Sequence, residues 1–160
     1  MHSNLQSQRQ NGYSLQAIDA LRAEHASILE ELTSLTLLAK KDGDSDESLH
    51  SRTEVILELL EHHQADEERY LFPLLFEPGS RLSAELRSEH SGFVGVGGEL
   101  LSIIRSGGQV AGFLDVLRMG MAAHFRREES IMLDASENVL SPAQLDILRM
   151  KLTPRKRLKV

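Results

Sequence analysis

His63 and Glu67 stand four residues apart in HHQADEERYLFP (62–73), and His124 and Glu128 repeat that spacing in HFRREESIM (124–132). Residues four apart on a helix stack on one face, so each pair presents an imidazole and a carboxylate together. Two more histidines sit among apolar residues at helical spacing: His25 with Leu21, Ile28 and Leu29, and His90 with Leu86, Phe93 and Val94. His63 has Leu59, Leu60, Tyr70 and Leu71 around it, and His124 has Leu117, Met121 and Ile131. The periodicity therefore assigns four imidazoles and two carboxylates to the inside of the protein.

A single histidine on an apolar helix face is more often a hydrogen-bonded core residue than a ligand. That explanation weakens when it must hold on every long helix at once. A buried polar group without partners costs about 1–3 kcal/mol. Six of them rival the ~5–15 kcal/mol stability of a whole domain. Mutual His–Glu hydrogen bonds offset part of this cost, whereas a pair of divalent ions would satisfy all six groups together. Nitrogen and carboxylate donors without sulfur suit iron, manganese or zinc. One closed tetrahedral zinc would leave ligands over. Two six-coordinate ions offer about twelve positions, of which four His and two bridging Glu fill about eight and an oxo or hydroxo bridge about two more. The remainder stays open to a small molecule, which implies a reactive site rather than a purely structural one.

The elements that must position these groups are helical. The chain has 160 residues, 41% of them hydrophobic and only 4% aromatic, enough for one domain with an aliphatic core. Ser14 reads as an N-cap, followed by Leu15, Ile18, Leu21, His25, Ile28, Leu29, Leu32 and Leu35 at steps of three and four. KKDGDSDES (40–48) reads as a loop. A second helix is expected from about Leu49 to Phe76, kinked or finished by Pro73, with EPGS (77–80) as a turn. A third runs from about Ser80 to Arg105 and, after SGGQ, a fourth from about Val110 to Leu133. Ser141-Pro142 opens a short fifth helix to about Leu152. Short connections between four long helices favour an all-α, antiparallel up-down four-helix bundle with a short extra C-terminal helix. The expected domain is 13–152, between a polar, disordered tail (1–12) and a basic one (153–160). The chain also repeats: LRAEHASI (21–28) is echoed by LRSEHSGF (86–93), and HQADEERYL (63–71) by HFRREESIM (124–132), so two related helix pairs face each other.

One His on the first helix, HxxxEExxLFP on the second, one His on the third and HxxxEE on the fourth resemble the hemerythrin-like (HHE) cation-binding family, over about residues 14 to 134. The resemblance implies a four-helix bundle around a non-haem, oxo- or hydroxo-bridged di-iron centre, with His25, His63, Glu67, His90, His124 and Glu128 as ligands. Two departures stand out. Oxygen-carrying members have a further His where this chain has Val94, and they take the last carboxylate five residues after the final His, which makes Glu129 a rival of Glu128. A site short of one histidine is more open than a carrier needs. It points to binding or reaction with dioxygen, peroxide or nitric oxide in sensing or detoxification. Iron storage or delivery, and a helical interaction module with a structural metal, are the alternatives. Glu24, Glu89 and His62 each precede an inward His and lie about 100° off its face, beside the metal at best.

Net charge −6 disfavours a general nucleic-acid binder, and the absence of cysteine excludes thiolate sites and disulfides. With no apolar leader and no apolar run near the ~20 residues of a membrane span, a soluble cytoplasmic protein is expected. A homodimer or a protein partner would be needed for a sensing role. The glycines of GFVGVGGE (92–99) predict either a local break in the third helix or a close backbone approach. The Tyr70 phenol is either a partner for a ligand carboxylate or ordinary packing. Arg155, Lys156, Arg157 and Lys159 read as a solvated tail, and His2 and His50 carry no role.

Overall fold

The computed structural model of the chain describes residues 3–42 and 47–152, with side chains from Ala17 onward except at 42, 135 and 137. The described residues form α1 (Ser3–Asp42), α2 (Glu47–Asp66), a π-helical segment π1 (Glu67–Leu71), α3 (Phe72–Leu75), α4 (Arg81–Arg105), α5 (Ala111–Glu128), a second segment π2 (Glu129–Leu133), α6 (Asp134–Val139) and α7 (Pro142–Lys151). No strand occurs among them. Helical backbone continues through both π segments, so α2–π1–α3 is one rod and α5–π2–α6 another. The N-cap expected at Ser14 is not the start of the first helix, which already begins at Ser3. Leu5, Gln6, Gln8, Arg9 and Gln10 are competent helix formers, with no proline to stop them. The loop centre at 43–46, the tail 153–160 and His2 lie outside the described residues.

The rods pack in a ring: α1 against α2 and α5, and α4 against the same two. Their directions follow from the order of buried residues. Along α1 come Ala17, Ile18 and Leu21, then His25, then Ile28, Leu32, Leu35 and Ala39. The second rod runs in reverse, from Leu49, Ile56 and Leu60 through His63 and Glu67 to Leu71 and Phe72. α4 repeats the sense of α1 with Leu86, His90 and Leu100, and α5–π2 reverses again. This is the up-down bundle expected of short connections. Its core is two apolar clusters, one built around Ile28, Leu60, Leu100 and Phe125, the other around Leu21, Leu71, Leu86 and Leu133. The polar His/Glu layer lies between them.

Local chemistry explains the ends. Ser80 caps α4 by accepting from the Ser83 N–H, and Gly79 and Gly107 supply the left-handed φ of 82° and 72° in the flanking turns. Ser141 and Gln144 form a reciprocal capping box with Pro142 in the first turn, as the sequence predicts for α7. Leu145, Leu148 and Leu152 then seal the end of the second cluster, with α7 packed on α1.

The structure refines three further expectations. Pro73 lies near the end of its helix, as expected: α3 stops at Leu75, two residues on. The Phe72 N–H bonds the Glu67 carbonyl five residues back, and the widened turn before Pro73 accommodates a residue that lacks an N–H and crowds the carbonyl four back. The fourth rod runs past Leu133 to Val139, and π2 inserts a residue into its register. Ile131, expected inside, is therefore 39% exposed, while Met132 and Leu133 are buried. Finally, α4 is unbroken through GFVGVGGE. Gly97 is the close approach: a Cβ there would stand 2.4 Å from Leu57 Cδ2, whereas Gly92, Gly95 and Gly98 face open space.

Candidate metal centre

Each long rod delivers one imidazole to the polar layer, and all four present Nε2 inward. His25 Nε2 stands 3.0 Å from His63 Nε2, and His90 Nε2 stands 3.1 Å from His124 Nε2, so the histidines form two pairs. Glu67 and Glu128, both fully buried, lie across the two pairs. Glu67 Oε1 is 3.7 Å from His25 Nε2 and 3.5 Å from His63 Nε2, while its Oε2 is 3.7 Å from His90 Nε2. Glu128 faces the other way: Oε2 lies 3.6 Å from His25 Nε2, and Oε1 lies 3.2 Å from His90 Nε2 and 2.9 Å from His124 Nε2. All six residues singled out in the sequence thus meet in one layer. Their donor atoms fall into two groups that share Glu128: His25, His63, Glu67 and Glu128, and His90, His124 and Glu128.

The second nitrogen of every imidazole is also engaged. Nδ1 of His25 lies 2.9 Å from Glu129, that of His63 2.8 Å from Glu24, that of His90 2.8 Å from Glu68, and that of His124 2.6 Å from Glu89. A carboxylate only accepts, so Nδ1 is the nitrogen that carries the proton and donates. In the neutral tautomer that would hold an ion, the Nε2 lone pairs of each pair face one another; without an ion, Nε2 of His90 and of His124 lies within hydrogen-bond reach of Glu128 Oε1.

That arrangement fits a cation. Two nitrogens bound at right angles to one ion at about 2.1 Å stand about 3.0 Å apart, the separation within both pairs. Neither oxygen of Glu67, nor Glu128 Oε2, finds a hydrogen-bond donor among the described residues, although all three are buried. Orphaned carboxylate oxygens beside facing lone pairs are what a divalent ion would satisfy and what side-chain hydrogen bonding leaves unsatisfied.

Electrostatics divides the two carboxylates. Burial pushes Glu67 up to about 8, an effect that neighbouring His63 only partly offsets. Burial acts the same way on Glu128, but hydrogen bonds from His124 and His90 outweigh it and hold that carboxyl below the usual range. His25 is lowered because burial prevails over its contacts with Glu129 and Glu128. At His124 burial also works against the charge, but the bonds to Glu128 and Glu89 prevail and raise it. Without metal, the layer keeps a proton on Glu67 at neutral pH.

Aromatic rings line the layer. Phe125 stacks on His25 with centroids 4.0 Å apart and planes 8° from parallel, and Phe93 meets His124 edge-on at 5.2 Å. On one flank a cavity of about 330 Å³ opens between α2 and α4, lined by Glu61, Gln64, Ala65, Glu68, His90, Ser91 and Val94. Val94 is 38% exposed and borders this cavity. Tyr70 packs against the second apolar cluster, in keeping with the packing alternative. His62 is exposed, away from the layer. Glu129 reaches His25 Nδ1 rather than the interior, whereas Glu128 lies inside the layer.

The model of the hemerythrin HHE cation-binding domain matches residues 16–139, most of the chain. The chain belongs to the hemerythrin HHE family. The match takes in most of the first rod, the other three rods and all six inward residues. No curated protein and no solved structure matches the chain. As a family member it is a metal-binding protein, and the buried His/Glu layer could hold the metal. No helix among the described residues is long and apolar enough to cross a membrane.

Proposed function

We propose that this hemerythrin-family protein holds two iron ions and binds or reacts with a small oxidant, dioxygen, peroxide or nitric oxide, in sensing or detoxification. The observation that carries the reading is the placement of Glu67 and Glu128, each with one oxygen toward each histidine pair. His25 and His63 would hold one ion, His90 and His124 the other, with both glutamates shared between them. Bound iron supplies one-electron redox chemistry and open coordination positions.

The chain supplies the rest. Phe125 stacks on the face of His25, and Phe93 packs edge-on against His124. The cavity beside Val94 reaches His90 from outside, and Glu61 and Glu68 on its wall favour neutral molecules over anions. Buried ligands, each imidazole fixed by a second hydrogen bond, favour a resident ion over iron as cargo.

Metal analysis with near-ultraviolet absorbance tests the reading. The expected result after iron-replete expression is about two irons per chain, resistant to chelator, with absorbance that changes on adding peroxide or nitric oxide. Iron lost to chelator while helicity survives would establish delivery instead. No metal at all, with helicity intact, would refute both.

A further inference from the structure

Four half-buried glutamates outside the ligand set make the same contact. Each is the sequence neighbour of an inward ligand: Glu24 precedes His25, Glu68 follows Glu67, Glu89 precedes His90, and Glu129 follows Glu128. None bonds the Nδ1 of a histidine on its own rod. Glu24 on α1 takes the Nδ1–H of His63 on α2, and Glu68 on π1 that of His90 on α4. Glu89 on α4 takes that of His124 on α5, and Glu129 on π2 that of His25 on α1. Since α1, α2, α4 and α5 are neighbours in that order around the bundle, the four bonds close into a ring with a single direction.

We propose that Glu24, Glu68, Glu89 and Glu129 are positioning residues that act across helix boundaries. Each fixes the tautomer, ring plane and basicity of the metal-binding histidine on the next helix, rather than of the one on its own helix. The inference rests on the metal reading above. A ligand imidazole free to rotate or change tautomer presents Nε2 toward the ion only part of the time. A carboxylate on Nδ1–H removes that freedom and raises the electron density at Nε2. Two members are themselves anchored: Arg87 binds the Glu68 carboxylate and, at 3.1 Å, its carbonyl, and Arg127 binds Glu89 as well as Glu85 at 2.8 Å. With side-chain exposures of 26% for Glu24 and 38% for Glu129, substitution opens these positions to water rather than leaving a hole in the core.

The direction of the ring makes the proposal testable. In the zinc-loaded full chain, imidazole proton and nitrogen NMR should show each histidine protonated at Nδ1. Glu24→Ala should remove or shift the Nδ1–H signal of His63 and leave that of its sequence neighbour His25. Glu129→Ala should do the reverse. Affinity for ferrous iron should fall about 10–100-fold in each Ala variant. Glu24→Gln and Glu129→Gln, whose amide oxygen still accepts, should recover most of that loss while shifting the absorbance of the iron-loaded centre. The Gln variants also carry the test if an Ala variant fails to fold by circular dichroism. Iron affinity in the Ala variants within about threefold of wild type, or loss of the His25 signal in Glu24→Ala, would overturn the ring. If wild type takes up neither zinc nor iron, the metal reading itself falls, a result distinguishable from a metal-loaded protein indifferent to Glu24 and Glu129.

Discussion

Glu67→Met should make the metal-free protein more stable while abolishing what metal adds. Glu67 is fully buried, and neither oxygen has a hydrogen-bond donor among the described residues. A buried polar group without partners costs about 1–3 kcal/mol, and metal-free Glu67, kept neutral by burial, is such a group rather than an ion. Methionine nearly matches glutamate in length and flexibility, so the cavity cost is small. The expected gain is about 2 kcal/mol, or roughly 4–8 °C in melting temperature for a chain of this size. Urea and thermal melts in chelator, repeated anaerobically with ferrous iron, measure both sides. Wild type should gain stability with iron and the variant should not, so their order reverses between the two conditions. The pH profile adds a second check. With its pKa raised to about 8, folded Glu67 holds a proton that the unfolded chain releases near 4.5. Its contribution is complete below about 4.5 and is lost as pH rises toward about 8, so wild type loses stability across that window and Glu67→Met loses less. A variant less stable than wild type in chelator by about 1 kcal/mol or more would show Glu67 to be a satisfied structural residue and refute the reasoning.

Other outcomes follow from the same geometry. His63→Ala and Glu128→Ala should each abolish binding of two metals by elemental analysis, whereas exposed His62→Ala should leave it intact. Iron affinity measured by titration should rise with pH up to about 8, because the ion must displace the Glu67 proton, and should then level off. Phe125→Ala should cost about 3–5 kcal/mol in chelator melts, since the ring is 2% exposed and stacked on His25. Gly95→Ala, into open space on an exposed helix face, should stabilise by about 0.5–1 kcal/mol. Gly97→Ala should gain nothing, because its Cβ would meet Leu57 at 2.4 Å.

The polar layer was legible because its signal is periodic. Histidines and glutamates at positions that helical spacing reserves for leucine have few physical explanations, and the structure brings all six together. The bundle was legible for the same reason. What periodicity could not show was anything that changes the period. Pro73 hints at π1, but nothing in ESIML marks π2, and a register carried forward at 100° per residue put Ile131 inside when Met132 and Leu133 are. Helical spacing sets Glu24 and Glu89 beside the metal at best and does not show the histidines they contact. Their position about 100° from the inward face does keep them out of the core. In a four-helix bundle, that same angle points a side chain at the neighbouring helix, and glutamate is long enough to reach the far nitrogen of an imidazole presented there.

The internal repeat sharpens this. Each half of the chain carries a Glu-His step on its first helix and a Glu-Glu step on its second: Glu24-His25 with Glu67-Glu68, and Glu89-His90 with Glu128-Glu129. Two of the four outer bonds stay within a half, Glu24 to His63 at 2.8 Å and Glu89 to His124 at 2.6 Å. The other two cross between halves, Glu68 to His90 at 2.8 Å and Glu129 to His25 at 2.9 Å. Both inward carboxylates cross as well, each lying against histidines of its own half and of the other. A half on its own could therefore neither reach the Nδ1 of its first-helix histidine nor set its inward carboxylate against both histidine pairs. The doubled acid in DEERYL and REESIM serves both needs: its first member spans the two histidine pairs, and its second fixes a histidine belonging to the opposite half.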